Sequence, residues 1–190
     1  MSPPRTQPLR CLLHAIAASF GLLAAAASAA DEPRRLGWLE WSWLEPGHVR
    51  LKTKLDTGAR TSSLHAEDIE VFEQDGDKWV RFRVPLSDRP EDTNVERDLV
   101  LERRVVREIL IKEHHMEPVP RYVVEVDLCL GGETRPTEVS LADRSDFNYP
   151  LLLGRLGMRG HVIVDPDAKY LAARCPRRKA ERAAAGDDAP

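Results

Sequence analysis

The sequence predicts an all-β fold, a small closed barrel with one short helix. Three observations predict it. Apolar and polar residues alternate with a period of two in several segments, most cleanly over residues 49–55 (V-R-L-K-T-K-L) and 79–84 (W-V-R-F-R-V). Turn signals recur at short intervals, as at Glu45-Pro46-Gly47-His48, Gln74-Asp75-Gly76-Asp77 and Gly131-Gly132. Little of the chain reads as helix, and many short strands separated by turns are most economically closed on themselves.

Taken in order, residues 37–44 alternate aromatic and other side chains and read as an edge strand. Trp38, Trp41 and Trp43 are expected to fold onto the domain, with a sugar or peptide platform as the alternative. After the turn at 45–48, residues 49–55 form a half-buried strand that runs into Asp56-Thr57-Gly58-Ala59, and Ser62, Ser63 and Leu64 resume an extended path. Residues 69–72 and 78–86 read as two strands around the turn at 74–77, and residues 87–94, polar with Pro90, as a loop. Residues 95–112 interleave Val, Leu and Ile with charges, which suits either a long strand pair or a helix over 99–111. Residues 113–120 read as a loop, 121–130 as a strand, Gly131-Gly132 as a hairpin turn, and 133–141 as the partner strand. Residues 151–153 are a short buried strand, 155–158 a single helical turn, and 161–164 the last strand, ending before Asp165-Pro166. There is no internal repeat.

The stretch that carries chemistry is Asp56-Thr57-Gly58-Ala59, where a strand delivers an acid, a hydroxyl and a glycine to a sharp turn. An Asp held at a strand end, beside a glycine that lets another backbone approach, is how an aspartic peptidase presents its carboxylate. A turn-forming Asp after a strand is the competing structural reading. A second stretch, Pro150-Leu151-Leu152-Leu153-Gly154-Arg155-Leu156-Gly157-Met158, follows about ninety residues later. Together the two segments resemble the retropepsin-like aspartic peptidases, in which a strand ending in Asp-Thr/Ser-Gly-Ala is matched by two apolar residues, Gly and Arg, that open a short helix beneath the active-site loop. The run K-L-D-T-G-A-R-T-S-S-L-H-A at 54–66, with Gly37-Trp38, Arg121-Tyr122-Val123 and L-L-L-G-R at 151–155, is similar to one bacterial branch in particular. That branch is often labelled an ATP-dependent zinc protease and is now regarded as retropepsin-like. The resemblance spans roughly residues 36–171. It implies an acid-protease-like barrel and favours strands over a helix for 95–112.

The resemblance also implies a mechanism and a partner. Aspartic peptidase chemistry needs two carboxylates about 3 Å apart that share one proton. One takes a proton from water; the protonated partner hydrogen-bonds the scissile carbonyl. This chain has one motif, and neither Asp143-Arg144-Ser145 nor Asp146-Phe147-Asn148 replaces a second, so the implied enzyme is a homodimer with Asp56 facing its two-fold mate. By resemblance, Thr57 hydrogen-bonds across the dyad, the Gly58 N–H serves the carboxylate, and Ala59 packs under the loop. Leu152, Leu153 and Gly154 support the loop from below, and Arg155 pairs with an acid or with backbone carbonyls. Arg60 stands where retroviral enzymes carry an Asp that binds substrate backbone. It suggests acidic or carboxylate-bearing substrates, and as a cation beside the dyad it would favour ionised Asp56. A flap, if one covers the site, is expected between residues 87 and 120.

The zinc and ATP labels find no support in the residues. No His-Glu-x-x-His and no Cys-x-x-Cys is present, His114 and His115 are adjacent and so point to opposite faces of a strand, and there is no Gly-x-x-x-x-Gly-Lys-Ser/Thr loop. No metal site and no cofactor are expected.

Arg5 and Arg10, an apolar run over 11–27, and Ser28-Ala29-Ala30 read as a secretory signal peptide over 1–30, with an N-terminal membrane anchor as the alternative. No lipobox-type cysteine follows the apolar run and no twin arginine precedes it. The expected product is a periplasmic peptidase domain over 31–176 with no membrane span, followed by a disordered tail over 177–190. Without Arg5 and Arg10, the 28 basic residues fall to 26 against 31 acidic, and the formal charge moves from −3 to −5. That balance argues against nucleic acid as a partner. Cys11 would leave with the leader. Cys129 and Cys175 then form a disulfide in an oxidising compartment, or Cys129 stays a buried thiol. The expected partners are a peptide or protein substrate and a second copy of the chain. A non-catalytic peptide-binding module on the same barrel is the rival reading.

Overall fold

The structure is a computed structural model that describes residues 32–86, 98–111 and 119–177. The expected leader over 1–30, the loop expected at 87–94, all but residues 119 and 120 of the loop expected at 113–120, and all but residue 177 of the tail expected over 177–190 lie outside the described residues.

Alternation dictates the architecture. In β2 (Val49–Leu55) odd residues are buried and even residues half-exposed, so one face of the strand belongs to the core. It follows β1 (Arg34–Glu45) and precedes β3 (Ser62–His65), β4 (Glu67–Gln74) and β5 (Asp77–Val84). β6 (Leu99–Ile111), β7 (Val119–Leu130) and β8 (Glu133–Ala142) form a long meander, and β9 (Leu151–Leu153), α1 (Arg155–Met158) and β10 (Val162–Lys169) complete the described elements. The sheet order runs β1-β2-β9-β3-β8-β7, and β7 pairs back onto β1 from Ser42↔Leu130 to Glu45↔Asp127. These six strands therefore close into a barrel, which leaves no open edge along the ring. β6, β5 and β4 extend the sheet beyond β7, and β10 lies parallel to β1.

The barrel interior is filled by Leu44, Leu51, Leu64, Val124, Leu141, Leu151 and Leu153, all fully or almost fully buried. Deleting one such side chain to Ala typically costs about 2–5 kcal/mol. Two hydroxyls share this interior without penalty because they satisfy each other: Ser42 Oγ and Thr53 Oγ1 are 2.5 Å apart. Outside the barrel, Trp43 packs with a Cys129–Cys175 disulfide, and Trp41 stacks on Tyr170 with ring centroids 5.3 Å apart. The buried carboxylate of Glu40 accepts backbone N–H groups from Gly37 at 2.6 Å, Leu171 at 2.8 Å and Ala172 at 2.9 Å. It thereby fastens the segment after β10 onto β1.

Four expectations are corrected. β1 is not an edge strand, because it pairs with β10, β2 and β7. Residues 99–111 form neither a helix nor a strand pair but one strand, which pairs with β5 through its first half and with β7 through its second. Its exposure alternates residue by residue, with Leu101, Arg103, Val105, Arg107 and Ile109 on the less exposed side, and that period of two decides against a helix. Val119 and Pro120 belong to β7 rather than to a loop. The last strand does not stop before Asp165-Pro166 but continues to Lys169. Pro166 is tolerated because the β1–β10 ladder is interrupted between Gly37↔Asp165 and Leu39↔Lys169, so no ladder bond is asked of its nitrogen. Among the described residues, no helix is long and apolar enough to cross a membrane.

Candidate active site

β2 ends at Leu55, and the next residue, Asp56, opens a loop that returns into β3 at Ser62. The Asp56 N–H donates to the Leu153 carbonyl at 2.9 Å, which continues the parallel ladder between β2 and β9 (Lys54↔Leu152, Leu55↔Leu153) by one bond. The carboxylate is thus anchored to the core through Leu153, which is buried, while Leu152 is half-buried.

The loop turns back on its own acid. Asp56 Oδ1 accepts the N–H of Gly58 at 2.9 Å and that of Ala59 at 3.2 Å. Thr57 and Gly58 are exposed and Ala59 is half-buried. Oδ2 meets the Lys54 ammonium at 3.0 Å. That hydrogen bond to Lys54, aided by the Gly58 and Ala59 N–H groups, holds the Asp56 carboxyl below its ordinary value, against the opposing effect of partial burial.

α1 braces the loop from one end. The first N–H groups of a helix have no partner within it. Here Arg155 N donates to the Ala59 carbonyl at 3.0 Å and Leu156 N to that of Arg60 at 3.0 Å. The Arg155 guanidinium adds hydrogen bonds to the carbonyls of Thr57 at 2.8 Å and Gly58 at 2.9 Å. Gly154 N donates to Ser62 Oγ at 3.2 Å, tying the start of α1 to the start of β3. Of the two partners expected for Arg155, it takes backbone carbonyls.

The expected residues therefore gather in one place: Asp56, Thr57, Gly58 and Ala59 in the loop, with Leu152, Leu153, Gly154 and Arg155 against it. Arg60 is exposed and makes no contact with Asp56; the cation on the carboxylate is Lys54. Lys54 reads in the sequence as one of three solvated charges on an alternating strand. The signal for its role was its spacing, because residues two apart on a strand share a face. A cavity of ≈ 280 Å³, lined by residues including Thr61, Ser62, Ile109, Val123, Leu156 and Gly157, lies beside the loop's exit and does not include Asp56. Among the described residues there is no cluster of three or more His, Cys, Asp or Glu side chains that could hold a metal ion.

This arrangement presents one carboxylate, oriented by two backbone N–H groups, on a loop whose tip faces outward. It can accept a proton from water or share one with a second carboxylate brought to it.

The chain is similar to several known proteins. Lpg0085 of Legionella pneumophila, a protein of unknown function, has a solved structure that superposes with a TM-score of 0.62 at 32% sequence identity, covering 73% of this chain and 98% of that one. A probable alpha-L-glutamate ligase of Parasynechococcus marenigrum is 38% identical over 138 residues, and one of Shewanella pealeana is 34% identical over 136. The chain spans only 28% and 29% of the length of these two relatives. Residues 35–175 match the RimB-like family, described as retropepsin-like aspartic endopeptidase RimB. A match over that span, on a closed barrel with its Asp-Thr-Gly-Ala loop braced by the Leu-Gly-Arg segment, means that the chain belongs to the RimB-like family of retropepsin-like proteins.

Proposed function

We propose that this protein is a periplasmic aspartic endopeptidase that acts as a homodimer, with Asp56 and its two-fold mate sharing one proton. The observation that carries this reading is the Asp56 carboxylate itself, oriented by the Gly58 and Ala59 N–H groups on a loop whose Thr57 and Gly58 are exposed. A dyad needs a second carboxylate about 3 Å away. Among the described residues Asp56's partners are Lys54, Gly58 and Ala59, and in this reading the second carboxylate comes from a second copy. Ionised Asp56 is the base that takes a proton from the attacking water. The protonated mate donates to the scissile carbonyl and stabilises the oxyanion, and the proton then passes to the leaving amine. In this reading Thr57, exposed at the loop tip, meets its mate. Ala59, Leu152, Leu153, Gly154 and Arg155 keep the loop in register.

The periplasmic location rests on the leader-like residues 1–30 and is supported by the Cys129–Cys175 disulfide, a bond that persists in oxidising compartments. For substrates we favour acidic peptides. Arg60 is exposed beside the loop, and similar proteins include probable alpha-L-glutamate ligases, whose name points to glutamate chemistry. Those same relatives favour a second reading, since they carry the matched region as less than a third of a longer chain. In that reading the barrel binds an acidic peptide without cutting it.

The test is cleavage of an unbiased peptide mixture by the purified protein between about pH 4 and 8, beside Asp56→Asn. The peptidase reading expects cleavage that resists chelator and falls by on the order of 10²- to 10⁴-fold in the variant. Peptide affinity without turnover, unchanged by Asp56→Asn, favours the binding module.

A further inference from the structure

The Asp56 carboxylate is engaged on both oxygens, and the two engagements differ in kind. Oδ1 is held by backbone N–H groups of its own loop, while Oδ2 is held by a side-chain cation, the Lys54 ammonium at 3.0 Å. The local chain path favours this pairing, since Lys54 near the end of β2 and Asp56 just past it are two residues apart and their charged ends meet. We propose that Lys54 is a positioning residue of the active site: its ammonium fixes the orientation and charge of Asp56, and so sets the pH range over which the Asp56 pair keeps its single shared proton. The inference rests on the dyad reading above.

Two carboxylates at dyad distance cannot both ionise freely, so the second proton is released only at raised pH. Each protomer, however, brings its own Lys54. Two ammonium groups then offset the charge of the doubly ionised pair, and both proton dissociations of the pair move to lower pH. Removing the cation reverses the sign, and both dissociations rise. The Lys54 side chain is 41% exposed, so water and salt screen the interaction and moderate the shift.

Among the described residues, no other charged group around the loop takes this part. On β2, Lys52 lies over the Trp41 ring at 5.7 Å. In the loop, Arg60 is exposed and does not touch Asp56. On α1, Arg155 directs its guanidinium to the Thr57 and Gly58 carbonyls. β9 carries only Leu151, Leu152 and Leu153. On β1, Glu40 is turned to the N–H groups of Gly37, Leu171 and Ala172, and Lys169 on β10 sits over the Trp38 ring at 4.8 Å.

The test is a carboxyl-carbon NMR titration of Asp56 in the full protein and in Lys54→Met, Lys54→Gln and Lys54→Arg, with pH profiles of peptide cleavage recorded in parallel. The expected result is an Asp56 midpoint raised in the Met and Gln variants, kept low in the Arg variant, and matched by an upward shift of both limbs of the rate profile. A purely structural role for Lys54 would lower the rate without moving either limb. Titration of the unsubstituted protein at low and high salt asks the same question with no variant to fold, and the lower of the pair's two midpoints should rise as salt screens Lys54. A midpoint that neither salt nor Lys54→Met moves overturns the inference. Failure of the dyad reading shows separately, as cleavage retained by Asp56→Asn.

Discussion

Gly154 lies flat against the backbone of Thr61: a Cβ on Gly154 would stand 2.6 Å from the Thr61 carbonyl carbon and 2.9 Å from the Thr61 nitrogen. Thr61 is the last residue of the Asp56 loop and Gly154 leads into α1, so this contact lets α1 approach closely enough for Arg155 and Leu156 to donate to the Ala59 and Arg60 carbonyls. The neighbour is main chain and has little room to move. Gly154→Ala is therefore expected to destabilise the protein by about 1–3 kcal/mol, read as a lower urea midpoint with unchanged slope. Peptide cleavage should fall more steeply than stability alone explains, because the brace of the loop is displaced.

The Cys129–Cys175 bond spans a sequence separation of 46 residues and covers Trp43. Reduction, or Cys175→Ser, is expected to cost about 2–4 kcal/mol, chiefly by freeing the unfolded chain. Thermal unfolding with and without reductant measures it, and Trp43 emission should shift as its cover loosens. A melting temperature indifferent to reductant would contradict this account.

Glu40 is fully buried and accepts three backbone N–H groups. In Glu40→Gln one acceptor oxygen becomes a donor facing another donor, so at least one N–H is left without a partner. The expected cost is about 1–3 kcal/mol. Hydrogen exchange at Leu171 and Ala172 should rise before the barrel amides change, because the segment after β10 is what Glu40 fastens.

Arg144 is buried at the start of the segment that leads into β9. Its backbone N–H donates to His65 Nδ1 at 2.9 Å, and its guanidinium reaches Ser63 Oγ at 2.8 Å and the Tyr149 carbonyl at 3.2 Å. Arg144→Ala is expected to keep the His65 bond, which uses main chain, and to lose the other two. The predicted result is faster exchange over residues 145–150 and a loss of stability of about 1–3 kcal/mol. Equal exchange in the two proteins would mean that the segment is held by other contacts.

Much of the barrel was legible because its strands are half-buried, and half-burial writes itself as alternation. Residues 49–55 show this in the barrel and 79–84 in the sheet that extends it, and the Gly131-Gly132 turn marked the β7–β8 hairpin. The residues gathered at the Asp56 loop were legible for a different reason, since Asp-Thr-Gly-Ala and Leu-Gly-Arg are backbone-fitting motifs whose glycines announce close approach. What was hidden depended on partners distant in sequence. β6 carries apolar residues on both faces, such as Val105 and Val106, because one side packs and the other is exposed, and that mixture also suits a helix. β1 read as an edge because nothing in its own residues reveals that β10 and β7 flank it. Pro166 read as a stop because the bulge that accommodates it belongs to the ladder with β1. Lys54 read as a surface charge because its role depends on where the side chain two residues later points.

The central claim is a dyad shared between two copies of the chain, and the most direct measurement is cleavage by wild-type protein mixed with increasing fractions of Asp56→Asn at fixed total concentration, after the copies have exchanged. A dyad built from one Asp56 of each protomer predicts that activity falls as the square of the wild-type fraction, because every mixed dimer has lost one of its two carboxylates. A fall in simple proportion would mean that each copy works alone, and would contradict the account.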